Sequence, residues 1–584
     1  VGVNAFAARC QRITLPWHSL DAAIASTEDK PIMCFFGQSL DAWSWRMADA
    51  LAGDEAVCEL VTAAFIPVYC DPRETSGPAA LCQQILSLSA GASGWPAVLF
   101  LLPNGRPFGA IPYSPMRDAD RRSGLATILV QIAEAWVEDP ASLAAGAEAM
   151  AQHIAILESL PDRPQRSTTL ILQSCEAACI EAADTLEGGF GDAPRNIPHG
   201  ALQFMLQRII SGQASPALQE HFGSTVNAII SGGIHDQLGG GFHRAVQDRT
   251  WGLPFFEKRC GDSAQLISLL LDASDACGVS LYAEVARNTG AWLISTLQNA
   301  DGFFSHGLHA LCHDNQQQIS EGGTYAWSQA AAAAIVGAAN AEHFATRFLS
   351  GPELSGDFYV PNARGSLSPS TADLLPAVCA RLAMARHERP QPWANKQVLL
   401  EEQGMVLCAL SRLSEWCHDN NQDASAWQTA AAKLSQACAT LSHLGAELPQ
   451  FIHGSDTNQR ADNRSLAWFA LGCWRMQHHL QEDNAHAKHL AAALWAQRRN
   501  DGTLAIRSGE SPAIGDHFPA VLDADDSPSA AAIAAQLFQE LAATDEHWPQ
   551  RADEFLVAHR PLLALTQLPA AGLAAAMAGA TSQS

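Results

Sequence analysis

The chain changes texture near residue 160, and that break limits the architecture more than any single motif does. Before it, apolar strand-like runs alternate with helical stretches: "PIMCFFG", then "RMADALAGDEAVCELVTAAF", then "IPVYCD" and "WPAVLFLLPNGRPFG", in which Asn104-Gly105 is a hairpin signal. That order predicts a small α/β domain with a mixed sheet. The stretch "EDPASLAAGAEAMAQHIAILESLPDRPQ" reads as helix broken by prolines, a connector. Beyond it the patterns are helical only, among them "ALQFMLQRII", "DSAQLISLLLDASDA", "GMVLCALSRLSEWC", "NRSLAWFALGCWRM" and "SPSAAAIAAQLFQEL", separated by Gly-rich loops. Helical hairpins of this kind close into a toroid or stack into a solenoid, and no clean short repeat favours the solenoid.

Composition excludes several partners. A chain of 584 residues that is 48% apolar can bury large cores, and its length calls for more than one domain. A formal charge of -25 argues against nucleic acid and anionic lipid, which both need clustered Lys and Arg. No apolar run approaches the roughly 20 residues of a membrane-spanning helix, so no membrane insertion is expected. The first residues, "VGVNAFAARCQRITLPWHSL", lack a compact charged-then-apolar leader, and a chain that begins at Val1 leaves open whether a presequence was removed. Fifteen cysteines without Cys-x-x-Cys spacing read as reduced, buried thiols of a cytoplasmic protein. The closest pair, Cys175 and Cys179, sits one helical turn apart, as two core-facing residues would.

The strings "LPWHSLDAAIASTEDKPIMCFFGQS", "SGWPAVLFLLPNGRPFGAIPYSP", "GGFGDAPR", "GGIHDQLGGGFHRAVQDRTWGLPFFEKRCGDSAQL", "EGGTYAWS" and "DADDSPSAAA" stand in an order that resembles the spermatogenesis-associated protein family. That resemblance, which covers nearly the whole chain, implies an N-terminal thioredoxin-like domain followed by an (α/α)6 barrel like those of N-acylglucosamine 2-epimerases and six-hairpin glycosidases. The expected division is a degenerate thioredoxin-like domain over 1–137, a helical connector over 138–165 and the barrel over 166–584.

The departures from the family matter as much. Its Cys-His-Trp-Cys-His loop is replaced by Asp41, Ala42, Trp43, Ser44 and Trp45. Thiol-disulfide exchange needs an attacking thiolate and a resolving thiol, and a carboxylate and a hydroxyl supply neither. Trp95-Pro96 stands where thioredoxin folds carry a cis-proline, and Trp43, Trp45 and Trp95 are expected to line a groove beside it or to pack between domains. In the barrel, Pro-His-Phe-Glu-Lys-Met has become Pro254-Phe255-Phe256-Glu257-Lys258-Arg259, which keeps the acid and the lysine and loses the imidazole. The family's Trp-Asn appears as Glu402-Gln403, and its Pro-Ser-Gly-Asn as Pro528-Ser529-Ala530-Ala531.

Polar residues that remain on the Gly-rich loops are Asp236, His243, Arg244, Glu257, Lys258, Asp262, Glu321 and Tyr325. As an enzyme, the barrel would pair Glu257 with Glu321 for acid/base work, with Lys258 or Arg244 beside a developing oxyanion and His243 carrying a proton. As structure, the same residues cap helices and pin loops by charge-assisted hydrogen bonds. The glycines of "GGIHDQLGGGFHR" have no preceding strand and no P-loop lysine, which argues against a nucleotide site. His306, His309, Cys312 and His313 have metal-like spacing if helical, but the isolated motif leaves no metal and no cofactor expected.

The leading expectation is a redox-inactive binding or protein-interaction scaffold. The alternatives are a carbohydrate-active enzyme using the barrel carboxylates, and an oxidoreductase working through another cysteine such as Cys70 or Cys82. A protein partner or a small carbohydrate is the expected ligand class, and nothing in the sequence sets an oligomeric state.

Overall fold

In the computed structural model the described residues are 10, 13–119, 122–158, 166–313, 318–367, 372–445, 447–453, 459–481, 483–507, 515–524 and 527–583. The chain divides into two compact units: residues 1–163 with 449–463 and 505–519, and the remainder.

The first unit is thioredoxin-like. Strand β1 (Ile32–Phe36) is buried at every position, as its unbroken apolar run requires of a central strand. Helix α1 (Ala42–Ala52) starts at Asp41, whose carboxylate accepts from the backbone N–H groups of Trp43 and Ser44. Helix α2 (Glu55–Ala64) leads into β2 (Ile66–Cys70), which pairs in parallel with β1. Helix α3 (Ser76–Ala90) ends at Gly91 in the left-handed region. Strands β3 (Ala97–Leu101) and β4 (Pro107–Pro112) form the antiparallel hairpin whose turn carries Asn104-Gly105, and the sheet order is β2-β1-β3-β4. Helix α4 (Leu125–Glu138) follows.

Two later segments complete this unit. Phe518 enters the core formed by Ile32, Cys34, Phe36, Cys70, Cys82 and Leu99. A Cβ on Gly77 would lie 2.4 Å from the backbone N of Asp516, so the start of α3 and this segment touch through bare backbone.

The second unit is a ring of helical hairpins. Its elements are α5 (Thr168–Glu181), α6 (His199–Ile210), α7 (Pro216–Ser231), α8 (Cys260–Cys277), α9 (Ser280–Leu297), α10 (Leu400–Asp419), α11 (Ser425–Ala439), α12 (Asn463–Leu480), α13 (Ala485–Ala496), α14 (Ala530–Ala542), α15 (Pro549–Thr566) and α16 (Ala571–Gln583). The even-numbered helices form the inner layer: α6 packs on α8, α8 on α10, α14 on α16, and α16 back on α6. Between α10 and α12 the approach is so close that a Cβ on Gly472 would lie 2.3 Å from the Gly404 carbonyl oxygen. Arg475 of α12 bonds Glu540 of α14. Helix α5, first in sequence, packs on α16, the last, which closes the ring as an (α/α)6 toroid and excludes a solenoid. Inner helices are buried nearly all round, as α10 shows from Leu400 to Cys417, because other helices surround them.

Between α9 and α10 an insertion builds a satellite core from Trp327, Ala332, Val336, Phe344, Val378 and Leu382. Among the described residues no helix is long and apolar enough to cross a membrane.

Candidate functional site

At the start of α1, Asp41 and Ser44 are bonded to each other. The Ser44 hydroxyl donates to Asp41 Oδ2 at 2.6 Å, the Ser44 N–H donates to the same oxygen at 2.8 Å, and Ser44 Oγ accepts from the Gln38 N–H at 3.1 Å. Both residues are buried, at 2% and 0% exposure. The pair therefore works as a helix cap with its donors and acceptors satisfied. The Trp95–Pro96 peptide is cis. The expected groove is altered, because Trp45 is buried and its indole N–H donates to the Ser39 carbonyl, 2.9 Å away. Trp43 meets Tyr113 edge-on under the Arg46 guanidinium, and Trp95 packs on Phe36.

The barrel residues singled out from sequence come together only in part. Asp236, His243, Lys258 and Tyr325 form one buried cluster with Arg386 and Trp292. Lys258 Nζ lies 3.0 Å from Asp236 Oδ2 and 4.2 Å from the Trp292 ring centre, and Arg386 reaches Asp236 Oδ1 at 2.7 Å. The Leu238 and Gly239 N–H groups also donate to Asp236. Burial favours the neutral acid, but Arg386 and Lys258 hold Asp236 well below the usual carboxylate range. Burial pulls Lys258 down to about 8. His243 is wholly enclosed between the Tyr325 and Phe256 rings, and burial, followed by the Lys258 charge, pulls it down to about 3. A histidine that stays neutral inside a protein core is a poor proton carrier for a substrate.

Glu257 is held by Arg244 at 3.4 Å, and the Arg244 N–H bonds the Glu257 carbonyl. Glu321 ends the half-buried strand Ile319–Glu321, where Gly322, at φ +73, abuts the Phe256 ring. Lys258 and Arg259 are adjacent strand residues that reach different partners: Lys258 meets Trp292, whereas Arg259 grips Asp262 through two bonds of 2.7 and 3.0 Å. His199 Nε2 approaches the same carboxylate at 3.5 Å.

These contacts lie where the inner helices start. There His306 Nδ1 is 2.8 Å from Glu402 Oε1, and Arg464 Nε is 3.1 Å from Glu401 Oε2. The Asp523 carboxylate accepts from the N–H groups of Ser529 and Gly572, at the beginnings of α14 and α16, and burial pushes it up to about 7. The segment with metal-like spacing is strand and turn instead of helix, which separates its side chains. His306 takes Glu402, and His309 Nδ1 accepts from the Leu311 N–H. The His313 side chain lies outside the described residues, among which no three potential ligands gather to hold a metal.

Sequence reasoning missed the axial cavity. It measures about 290 Å³ and lies among the inner helices. Five glutamines line it: Gln203 and Gln207 of α6, Gln265 of α8, and Gln536 and Gln539 of α14. Trp468, Met405 and Cys408 supply apolar wall, while Asp272, Arg475 and Glu540 supply charge. The signal was present as glutamines three or four residues apart on otherwise apolar helices, "ALQFMLQRII" and "AAQLFQEL".

These features define a class: a thioredoxin-like unit without its thiol pair, joined to an (α/α)6 toroid. The chain is similar to spermatogenesis-associated proteins and contains no Cys-x-x-Cys motif. Residues 13–155 match the family Thioredox_DsbH, described as a protein of unknown function, DUF255. Human spermatogenesis-associated protein 20 is 28% identical over 320 residues, 54% of this chain and 41% of that protein. An uncharacterized protein from Caenorhabditis elegans is 29% identical over 262 residues, 44% of this chain and 35% of that one. The matches thus span about two fifths or less of those relatives' length. Among solved structures, a GH76 alpha-mannanase from Bacteroides thetaiotaomicron is 11% identical with a TM-score of 0.41, covering 71% of this chain and 96% of that one. Cellobiose 2-epimerase from Bacillus thermoamylovorans is 10% identical with a TM-score of 0.40, covering 67% and 86%.

Proposed function

We propose that this chain is a redox-inactive pseudoenzyme that acts as a binding scaffold, its thioredoxin-like unit serving as a structural module and its toroid as the ligand-holding one. The observation that carries the reading is the buried Asp41–Ser44 bond, which fills the two positions an exchanging thiol pair would occupy. Other cysteines are poor substitutes: burial raises Cys82, and Cys34 is raised by its contact with Cys70 and by burial. No disulfide links the cysteines among the described residues, in keeping with a reducing cytoplasmic setting. Carbohydrate conversion by Glu257, Lys258 and Glu321 is the weaker reading, because Lys258 is shut beneath Trp292 against Asp236. The net charge of -25 favours a basic surface on any protein partner.

A dithiol-driven insulin-reduction assay tests this. The natural chain is expected to give the blank rate, and the paired change Asp41→Cys with Ser44→Cys to raise it. Turnover by the natural chain, comparable with that of a thiol-bearing relative, refutes the reading.

A further inference from the structure

The charged residues that line the axial cavity are each already paired. Arg475 donates to Glu540 through Nε at 3.1 Å and Nη2 at 2.6 Å, and Asp272 Oδ1 accepts from Arg412 Nε at 2.6 Å. A phosphate or carboxylate ligand would have to take Arg475 from a two-bond partner, at the cost of a stranded Glu540. An apolar ligand would leave the amides dry, at about 1–3 kcal/mol for each unsatisfied group.

The amides are the distinctive feature. Gln207 Oε1 and Gln539 Oε1, from helices α6 and α14, lie 3.7 and 3.9 Å from the point where a Cβ on Gly579 would stand. Two side chains from different helices thus converge where α16 offers no side chain of its own. The side chains of Gln203, Gln207 and Gln536 make no hydrogen bond among the described residues. Each primary amide both donates and accepts, as a hydroxyl does, so an array of amides matches an array of hydroxyls whichever way each amide is turned. Trp468 spends its indole N–H on Ser527 Oγ at 2.8 Å, which leaves carbon surface for the cavity, the complement of the C–H face of a sugar ring.

Resting on the binding reading above, we infer that the axial cavity holds a neutral polyhydroxylated molecule of mono- to disaccharide size, hydrogen-bonded by glutamines of α6 and α14 and packed on Trp468. The volume of about 290 Å³ is at the small end of ligand pockets, which suits one or two sugar rings and excludes a polymer enclosed whole.

The test is saturation-transfer NMR and calorimetry on the full chain with glucose, mannose, N-acetylglucosamine, maltose and cellobiose, and with glucose 6-phosphate and glucuronate as charged counterparts. At least one neutral sugar is expected to bind with a Kd of about 1 mM or tighter. Gln207→Leu and Gln536→Leu should each weaken it roughly tenfold without moving the unfolding midpoint. The inference is overturned if no neutral sugar binds at roughly 10 mM, if a charged counterpart binds more tightly, or if both variants bind as the natural chain does. A sugar that binds and is recovered chemically altered sinks the non-catalytic reading and leaves this one standing. Absence of both sugar binding and dithiol turnover does the reverse.

Discussion

The cluster around Lys258, set among loops, α9 and the insertion, and the cavity lined by the inner helices are both polar, yet they have settled their electrostatics in opposite ways. Around Lys258, two cations share Asp236, and the carboxylate also takes two backbone N–H groups. Along the axis, glutamine amides carry no charge and several carry no bond to the protein. A buried charge must be paired or it is ruinous, whereas an amide facing a hydrated cavity can wait for a ligand. Residues that look catalytic in sequence are therefore the committed ones here, and the residues open to a ligand are neutral.

Acid should have the largest effect on the fold, with His235 and His243 beside Asp236 and Lys258 among the groups that carry it. His235 and His559, pulled down to about 4, and His243 and His309, pulled down to about 3, are all lowered by burial. Their folded values lie below the unfolded value of about 6.5, so the stability they contribute is present above that pH and is lost as pH falls through the folded values. Asp523, raised to about 7 by burial, acts with the opposite sign: its contribution is present below about 3.9 and is lost as pH rises toward 7. Four histidines against one carboxylate give a net loss from pH 7 to pH 5, on the order of 5 kcal/mol. Urea unfolding at the two pH values measures it. A midpoint that stays level or rises at pH 5 would mean that these imidazoles are not held neutral.

Next in size is Asp236→Asn, which keeps the shape of the side chain and removes the charge that Lys258 and Arg386 share. Stranding two buried cations should cost about 3–5 kcal/mol in unfolding free energy. A loss below about 1 kcal/mol, the scale of an exposed ion pair, would put the cluster in contact with water and reopen it as a site.

How far the sequence foretold these regions depends on where their partners lie. Strand β1 and the Asn104-Gly105 hairpin were legible because both are local: an apolar run and a turn dipeptide. The toroid came from resemblance, since helical periodicity does not choose between ring and solenoid. Arg386 went unseen beside Asp236 because 150 residues separate them. Segments 449–463 and 505–519 show no periodic pattern in sequence, although Phe451–His453 forms a short strand, so their membership of the first unit had no signal. His306 and His309 were spaced for a helix, but the chain there pairs as short strands, Gly307–Leu308 and Leu311–His313, and spacing means something else at a period of two. The cavity glutamines were visible as letters, but polar residues three or four apart on a helix read equally well as a solvent face.

The smallest effect is the most discriminating. Gln536 and Gln539 sit three residues apart on α14 and line the same cavity, but Gln539 Nε2 donates to the Ala576 carbonyl at 2.9 Å, whereas the Gln536 amide makes no such bond among the described residues. Leucine and glutamine have similar helix propensity, so the backbone should be indifferent to either exchange. Gln539→Leu should therefore cost about 1 kcal/mol, the net worth of one hydrogen bond, while Gln536→Leu should change unfolding free energy by less than about 0.5 kcal/mol. Equal losses in the two variants, measured by urea unfolding under identical conditions, would mean that Gln536 is already committed to the fold. The distinction between a region that has spent its polar groups and one that has kept them would then fail at the residue where it is sharpest.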